Sequence, residues 1–555
     1  MVAYHRQADE VLGRISVTEK IGQLFVVPVG RHSPNALRLP PDQRTGSVAN
    51  DGLGQVLDQI RTYRVGGVCY FPTRAEGDEP GEVAALLAEV AAVADGGVRP
   101  VVSVDQEGGT VARLRRGVTS VPSAMGLAAT GDPASAERAA GILGAELRAV
   151  GFHQDYAPDA DVNSNPANPV IGVRSYSADP AEVARYVAAA VRGLRGAGLA
   201  ATAKHFPGHG DTSTDSHLTL PSVTRTAADW DAIDLVPFGA AIEAGVDAVM
   251  SAHVAVPVVD PSGDPATASA PILTGVLRDR LGFAGVAVTD ALDMAGARDR
   301  LGDGEIAVRA LLAGADQLLM SADLPVAVTA VGAAVASGRV PVSRLDEAVR
   351  RILVMKARLG LLGADAGTPA GADPLAAAGV DVAANAVVAR DLARRALTVL
   401  GDPGWRVPAG RVALVGNLAG VEDVLLPVLR GAGAEVTVVD SGSDPSTVDT
   451  VLAAAAGADV TVAVTRGAVR WPGQRALLAG LAAAGHRHVL VALREPYDAG
   501  LAPAAVARFL TYGDNEVMRE ALVDVLRGDA VAGGRLPVDV PDADGGVAYR
   551  KGAGA

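Results

Sequence analysis

Cysteine is nearly absent. Cys69 is the single one in 555 residues, so no intrachain disulfide can form. It sits in the apolar run Gly66-Gly67-Val68-Cys69-Tyr70-Phe71, where a lone thiol packs as a small hydrophobe. Aromatic residues make up only 3% of the chain, so its cores must be filled mainly by alanine, valine and leucine. No run of about 20 apolar residues lacks charges or breakers, which argues against a membrane span. The first 25 residues, MVAYHRQADEVLGRISVTEKIGQLF, lack the unbroken apolar core of a secretory signal. A soluble, cytoplasmic protein is therefore expected. Excess positive charge is also missing. A formal net charge of −14 argues against nucleic acid or an anionic membrane as partner. It leaves room for a small anion, because a local basic cluster outweighs distant charge.

The chain is too long for one ordinary core, and two or three domains are expected. Eight short apolar runs recur in the first 350 residues: 24–29, 67–71, 101–105, 152–157, 200–204, 248–252, 286–289 and 317–321. They are apolar without alternation, the pattern of parallel strands buried on both faces. Amphipathic segments such as 80–94, 135–150 and 181–197 lie between them, and the chain reads as an α/β protein with an N-terminal (β/α)8 barrel over residues 1–362. An Ala-, Gly-, Asp- and Pro-rich linker is expected at 363–385. Residues 386–555 read as a smaller domain, a second parallel sheet with helices on its faces, from apolar runs at 412–415, 436–439, 460–464, 489–492 and 509–511.

Polar residues gather where the barrel strands end. Asp105-Gln106-Glu107 follows the third run, Lys204-His205 ends the fifth, His253 follows the sixth and Asp290 the seventh. In such barrels chemistry sits at the carboxyl ends of the strands. The densest stretch is Lys204–Pro221, KHFPGHGDTSTDSHLTLP, which holds three of the nine histidines. Its glycines and prolines exclude regular helix or central strand. Asp215-Ser216-His217 can be a carboxylate orienting an imidazole general acid, or a simple turn. Asp290 can be a nucleophile toward an electrophilic carbon, or a helix N-cap. His205, His209, Asp211, Asp215 and His217 also have the composition of a metal site, although Gly208 and Gly210 break the helical i, i+4 spacing of a zinc helix. Asp105 and Arg113 suit a grip on a hydroxyl-rich ligand, and the Asn- and Pro-rich loop at 163–169 is expected to present Arg174.

The segments VDQEGGTVARL, DVNSNPANPVIGVRSYS, AKHFPGHGDTSTDSHLTLP, AVMSAHVAVP and VAVTDALDM, with the tail TYGDNEVMREALVDVLRGDAVAGGRLPVDVP, resemble glycoside hydrolase family 3. The histidine-rich stretch is similar to its β-N-acetylglucosaminidase branch. The resemblance implies an α/β-sandwich second domain, Asp290 as nucleophile, His217 as acid/base and Asp215 as its partner. It also implies sugar contacts from Asp105, Arg113, Arg174, Lys204 and His205, with no metal or organic cofactor. The implied substrates are peptidoglycan fragments (muropeptides) or chito-oligosaccharides ending in β-linked N-acetylglucosamine. An imidazole acid/base carries no negative charge, so inorganic phosphate can rival water as the second acceptor. A β-glucosidase activity, a metal-dependent hydrolase and a catalytically silent sugar-binding protein stand as the other readings.

Overall fold

A computed structural model describes residues 2–30, 52–74, 77–93, 97–216, 218–363 and 373–554. All eight expected barrel strands form: β1 Phe25–Gly30, β2 Gly67–Phe71, β3 Val101–Val104, β4 Gln154–Asp155, β5 Ala200–Phe206, β6 Ala248–Ser251, β7 Val286–Thr289 and β8 Leu318–Leu319. Each neighbours the next in parallel, in the order β7-β6-β5-β4-β3-β2-β1-β8. The ring is joined between β7 and β8 by the single bridge Val288–Gln317. Strands β2, β3, β5, β6 and β7 are buried at every residue, which is why their sequences show no alternation.

The outer helices obey local rules. Helix Pro180–Gly196 starts with proline in its first turn, after Asp179 accepts from the Ala181 and Glu182 amides. Helix Ala134–Val150 stops at Gly151, whose φ of 115° lies where a side chain would be strained. The last barrel helix, Val342–Arg358, buries Leu345, Val349, Ile352 and Leu353 on one stripe.

The second sheet has the order β11-β10-β12-β13-β14-β9, with β9 Thr398–Gly401, β10 Gly410–Gly416, β11 Ala434–Asp440, β12 Val460–Thr465, β13 His488–Ala492 and β14 Ala507–Leu510. Five strands match expectation. The sixth, β9, corrects the reading of a purely parallel sheet, since it pairs antiparallel with β14. A four-residue edge strand directly after a helix carries too little pattern to announce itself. That helix, Val382–Ala396, packs Ala389, Leu392 and Ala393 into the core cluster of the barrel.

The second domain sits over the barrel mouth. Ser123 Oγ donates to the Tyr512 carbonyl (2.7 Å), Asn163 Nδ2 to Tyr497 Oη (2.7 Å) and Ser177 Oγ to the Pro537 carbonyl (2.6 Å). Among the described residues no helix is long and apolar enough to cross a membrane.

Candidate active site

The barrel mouth holds a pocket of about 250 Å³. Asp105, Arg113, Arg174, Lys204, His205 and Asp290 all line it, although they are spread over nearly 190 residues of chain. Asp215 lines a wider adjoining cleft, its neighbour Ser216 lines the pocket, and His217 lies outside the described residues.

Two carboxylates after β3 meet two cations from β5 and from the turn Gly172–Arg174. Lys204 Nζ lies 2.8 Å from Asp105 Oδ1 and 2.7 Å from Glu107 Oε1. Arg174 grips Glu107 with two bonds, Nε to Oε2 at 2.9 Å and Nη2 to Oε1 at 2.8 Å. Arg113 Nη2 reaches Asp105 at 3.4 Å, and its guanidinium lies 5.2 Å over the Phe71 ring. Burial works to raise the carboxyl pKa values, and the cations overcome it. Lys204 and Arg113 hold Asp105 well below its ordinary value, while Arg174 and Lys204 bring Glu107 down to about 2. Both remain acceptors for sugar hydroxyls at neutral pH.

Glu107 lines the pocket and was noted in the sequence only as one of the polar residues after the third run, while Asp159 and Asp161, which meet Arg174 and His205, were passed over. Asp161 Oδ2 lies 2.7 Å from His205 Nδ1, and the Arg174 Nη2 donor lies 3.2 Å from His205 Nε2. An arginine only donates, so Nε2 accepts and the network assigns the ring proton to Nδ1, facing Asp161. Burial, then the Asp161 charge, push Asp159 well above the usual carboxylate range. The signal for both acids was their place just after the fourth apolar run, in Pro158-Asp159-Ala160-Asp161.

Asp159, Asp161 and His205 offer ligand atoms within 4.8 Å of one another, the grouping that could hold a metal ion. Arg174 Nε already stands 3.7 Å from Asp159 Oδ2, which places a cation against that group. The histidine-rich cluster suggested by composition is organised differently. His209 is buried, with Nδ1 2.6 Å from Thr212 Oγ1 and Nε2 3.0 Å from Ser216 Oγ, so hydrogen bonds engage both nitrogens. Burial lowers its pKa to about 4, so it is neutral near pH 7. Asp211 pairs with Arg225 at 3.0 Å instead. Glycine is required here: Gly208 has φ 116°, and a Cβ on Gly210 would collide with the Val162 carbonyl oxygen.

Asp290 follows β7. Its amide donates to the Ser251 carbonyl (2.9 Å), and its Oδ1 accepts from the Ala291 amide (2.7 Å). The next helix begins at Ala295 with Met294 as N-cap, so Asp290 does not cap it. Asp293 is buried and does not line the pocket.

Lys204 is 2% exposed. Lys204→Ala would remove the buried cation shared by two part-buried carboxylates, leaving them Arg113 and Arg174, and is expected to cost about 3 kcal/mol of stability, read from denaturant midpoints. Acid should narrow this difference. The Glu107 pKa is depressed from 4.5 to about 2 in the fold, so its stabilisation is present above about pH 4.5 and is lost as pH falls toward 2. A mutant as stable as wild type at pH 7 would refute this account of the pair.

A barrel with this charged, sugar-sized pocket at the strand ends has the architecture of a barrel enzyme. The chain belongs to glycosyl hydrolase family 3: the model of that family's N-terminal domain matches residues 16–355. A "Beta-N-acetylglucosaminidase/beta-glucosidase" of Cellulomonas fimi is 33% identical over 477 residues, covering 79% of this chain and 83% of that protein. A "Beta-hexosaminidase" of Pseudomonas aeruginosa is 38% identical over 291 residues, covering 52% of this chain and 84% of that protein. The solved structure of a family 3 beta-N-acetylglucosaminidase from Paenibacillus sp. str. FPU-7 superposes with a TM-score of 0.82 at 35% identity, covering 94% of this chain and 99% of that one.

Proposed function

We propose that the chain is a retaining β-N-acetylglucosaminidase that removes terminal β-linked N-acetylglucosamine from peptidoglycan fragments or chito-oligosaccharides in the cytoplasm. The observation that carries this reading is the Asp290 carboxylate on the wall of a pocket of about 250 Å³, room for one sugar residue, among fixed donors and acceptors. In the first step Asp290 attacks the anomeric carbon. His217, oriented by Asp215, gives its proton to the departing glycosidic oxygen as that bond breaks. In the second step His217 takes a proton from water, the oxygen of that water attacks the same carbon, and Asp290 leaves. Two inversions give retention. Asp105, Arg113, Arg174, Lys204 and His205 hold the sugar, the anions accepting from hydroxyls and the cations donating. The names of the Cellulomonas fimi and Paenibacillus relatives support N-acetylglucosamine as the sugar, and the former adds glucose as a second substrate.

Phosphate is the rival acceptor, because a neutral His217 would not repel it. Water is favoured by the state of the groups at the site that could meet phosphate. Lys204 and Arg174 are paired with carboxylates, and His209 is neutral near pH 7. Turnover of an aryl β-N-acetylglucosaminide with and without phosphate, followed by mass spectrometry, tests both points. Free N-acetylglucosamine at a phosphate-independent rate is expected. A β-configured sugar 1-phosphate would establish phosphorolysis, and no release of N-acetylglucosamine would overturn the function.

A further inference from the structure

The cleft outside the sugar pocket is the larger of the two, about 900 Å³, and the second domain supplies one of its walls. Val111, Val170 and Arg174 line both cavities, so the two adjoin. A group attached to a sugar in the pocket therefore has the cleft as its neighbouring space.

Three arginines converge on that wall: Arg466 after β12, Arg494 after β13 and Arg519 on helix Glu516–Arg527. Their carboxylate partners are too few. Arg466 lies 3.3 Å from Asp514. Arg494 is 3.8 Å from Glu495, whose closer partner is Arg470 at 2.6 Å. The Arg519 side chain makes no ion pair or hydrogen bond among the described residues, and the Nε atoms of all three arginines are buried without a partner. Asp215 and Glu516 also face the cleft and temper its charge. Burial is the strongest influence on Arg466 and lowers its pKa; Asp514 opposes it, and the charges of Arg519 and Arg494 add to it. Gathered cations with spare donors are relieved by an anion. Trp471, 51% exposed, lines the same cleft and offers a flat apolar face of the kind that covers a sugar ring.

We propose that this wall is a leaving-group subsite selecting a saccharide that carries a carboxylate, with Arg519, Arg494 and Arg466 meeting the anion and Trp471 the sugar. The inference rests on the N-acetylglucosaminidase reading and adds what that reading leaves open, the charge of the group released and the domain that senses it.

The test compares chitobiose with the disaccharide that differs from it only by a lactyl ether on the reducing sugar. Wild type should prefer the lactyl substrate. Arg519→Ala should lower the ratio of the two kcat/KM values by about 10–100-fold, the loss of one charged hydrogen bond, and Arg519→Lys should restore part of it. A third substrate, with the lactyl carboxyl amide-linked to a peptide, separates two sources of the anion. Continued dependence on Arg519 assigns the contact to peptide carboxylates, and lost dependence assigns it to the lactyl group; both keep the anionic subsite. An unchanged ratio, or equal losses on both disaccharides, overturns the proposal. So does phosphate acceleration of chitobiose turnover that requires Arg519, since the cluster would then serve the acceptor. Calorimetric binding of the lactyl-bearing monosaccharide to wild type and Arg519→Ala reads the subsite without turnover. Its failure is thereby distinguished from failure of the N-acetylglucosaminidase reading, which would show as no release from any substrate.

Discussion

Asp290→Ala is expected to reduce turnover of an aryl β-N-acetylglucosaminide by at least about 10⁴-fold, the scale on which loss of a nucleophile acts. The denaturation midpoint should barely move. Asp290 is partly exposed on the pocket wall, and its backbone amide bond to Ser251 survives the substitution. A mechanism-based fluoro-sugar should label the wild-type enzyme at Asp290, and peptide mapping would locate the adduct. Asp293 is the control. It lies three residues on, is buried where Asp290 is partly exposed, and does not line the pocket. An adduct on Asp293, or a mutant that turns over at wild-type rate, would remove Asp290 from the mechanism.

The second large effect is expected at His217. Replacing it with alanine should cost roughly 10²–10⁴-fold, the usual worth of a positioned acid/base. The size should depend on the leaving group: large for a sugar, which needs its proton, and small for a dinitrophenolate, which does not. Asp215→Ala should follow the same pattern more weakly, because an unpartnered ring is worse oriented and less basic. Equal losses across leaving groups would exclude His217 as the acid. Ser216, which joins these residues in sequence, is held by His209 at 3.0 Å, so His209 ties their loop to the buried base of the pocket.

Much of this molecule could be read from the order of its residues, for identifiable reasons. Barrel strands are buried on both faces, so 67–71 and 286–289 appear as unbroken apolar runs with sharp ends. Asp290 and Lys204 stood out because polar residues at such ends are anomalous. Glu107 stood at such an end too, but nothing there distinguished its role. It sits two residues from Asp105, and its importance comes from partners 67 and 97 positions away, Arg174 and Lys204, which only folding brings near. Asp159 and Asp161 were overlooked for the same reason. His209 shows the converse. It looked like a ligand for a metal, but burial and two hydroxyl partners make it a neutral brace. Composition shows that a group is unusual, whereas its charge state depends on neighbours that the linear order does not display.

The helix Val382–Ala396 contributes Ala389, Leu392 and Ala393 to the core cluster of the barrel, and Met518 and Ala521 join them from a helix near the end of the chain. This ordering matters during synthesis. A ribosome delivers all eight barrel strands before position 320, yet the apolar face that these late residues complete is first covered by the helix Val382–Ala396 and closed only when Met518 and Ala521 emerge, some 200 residues on. For that interval the nascent barrel presents a sticky patch of the kind that recruits chaperones or drives aggregation. A gene cut after the last barrel helix would leave that face uncovered.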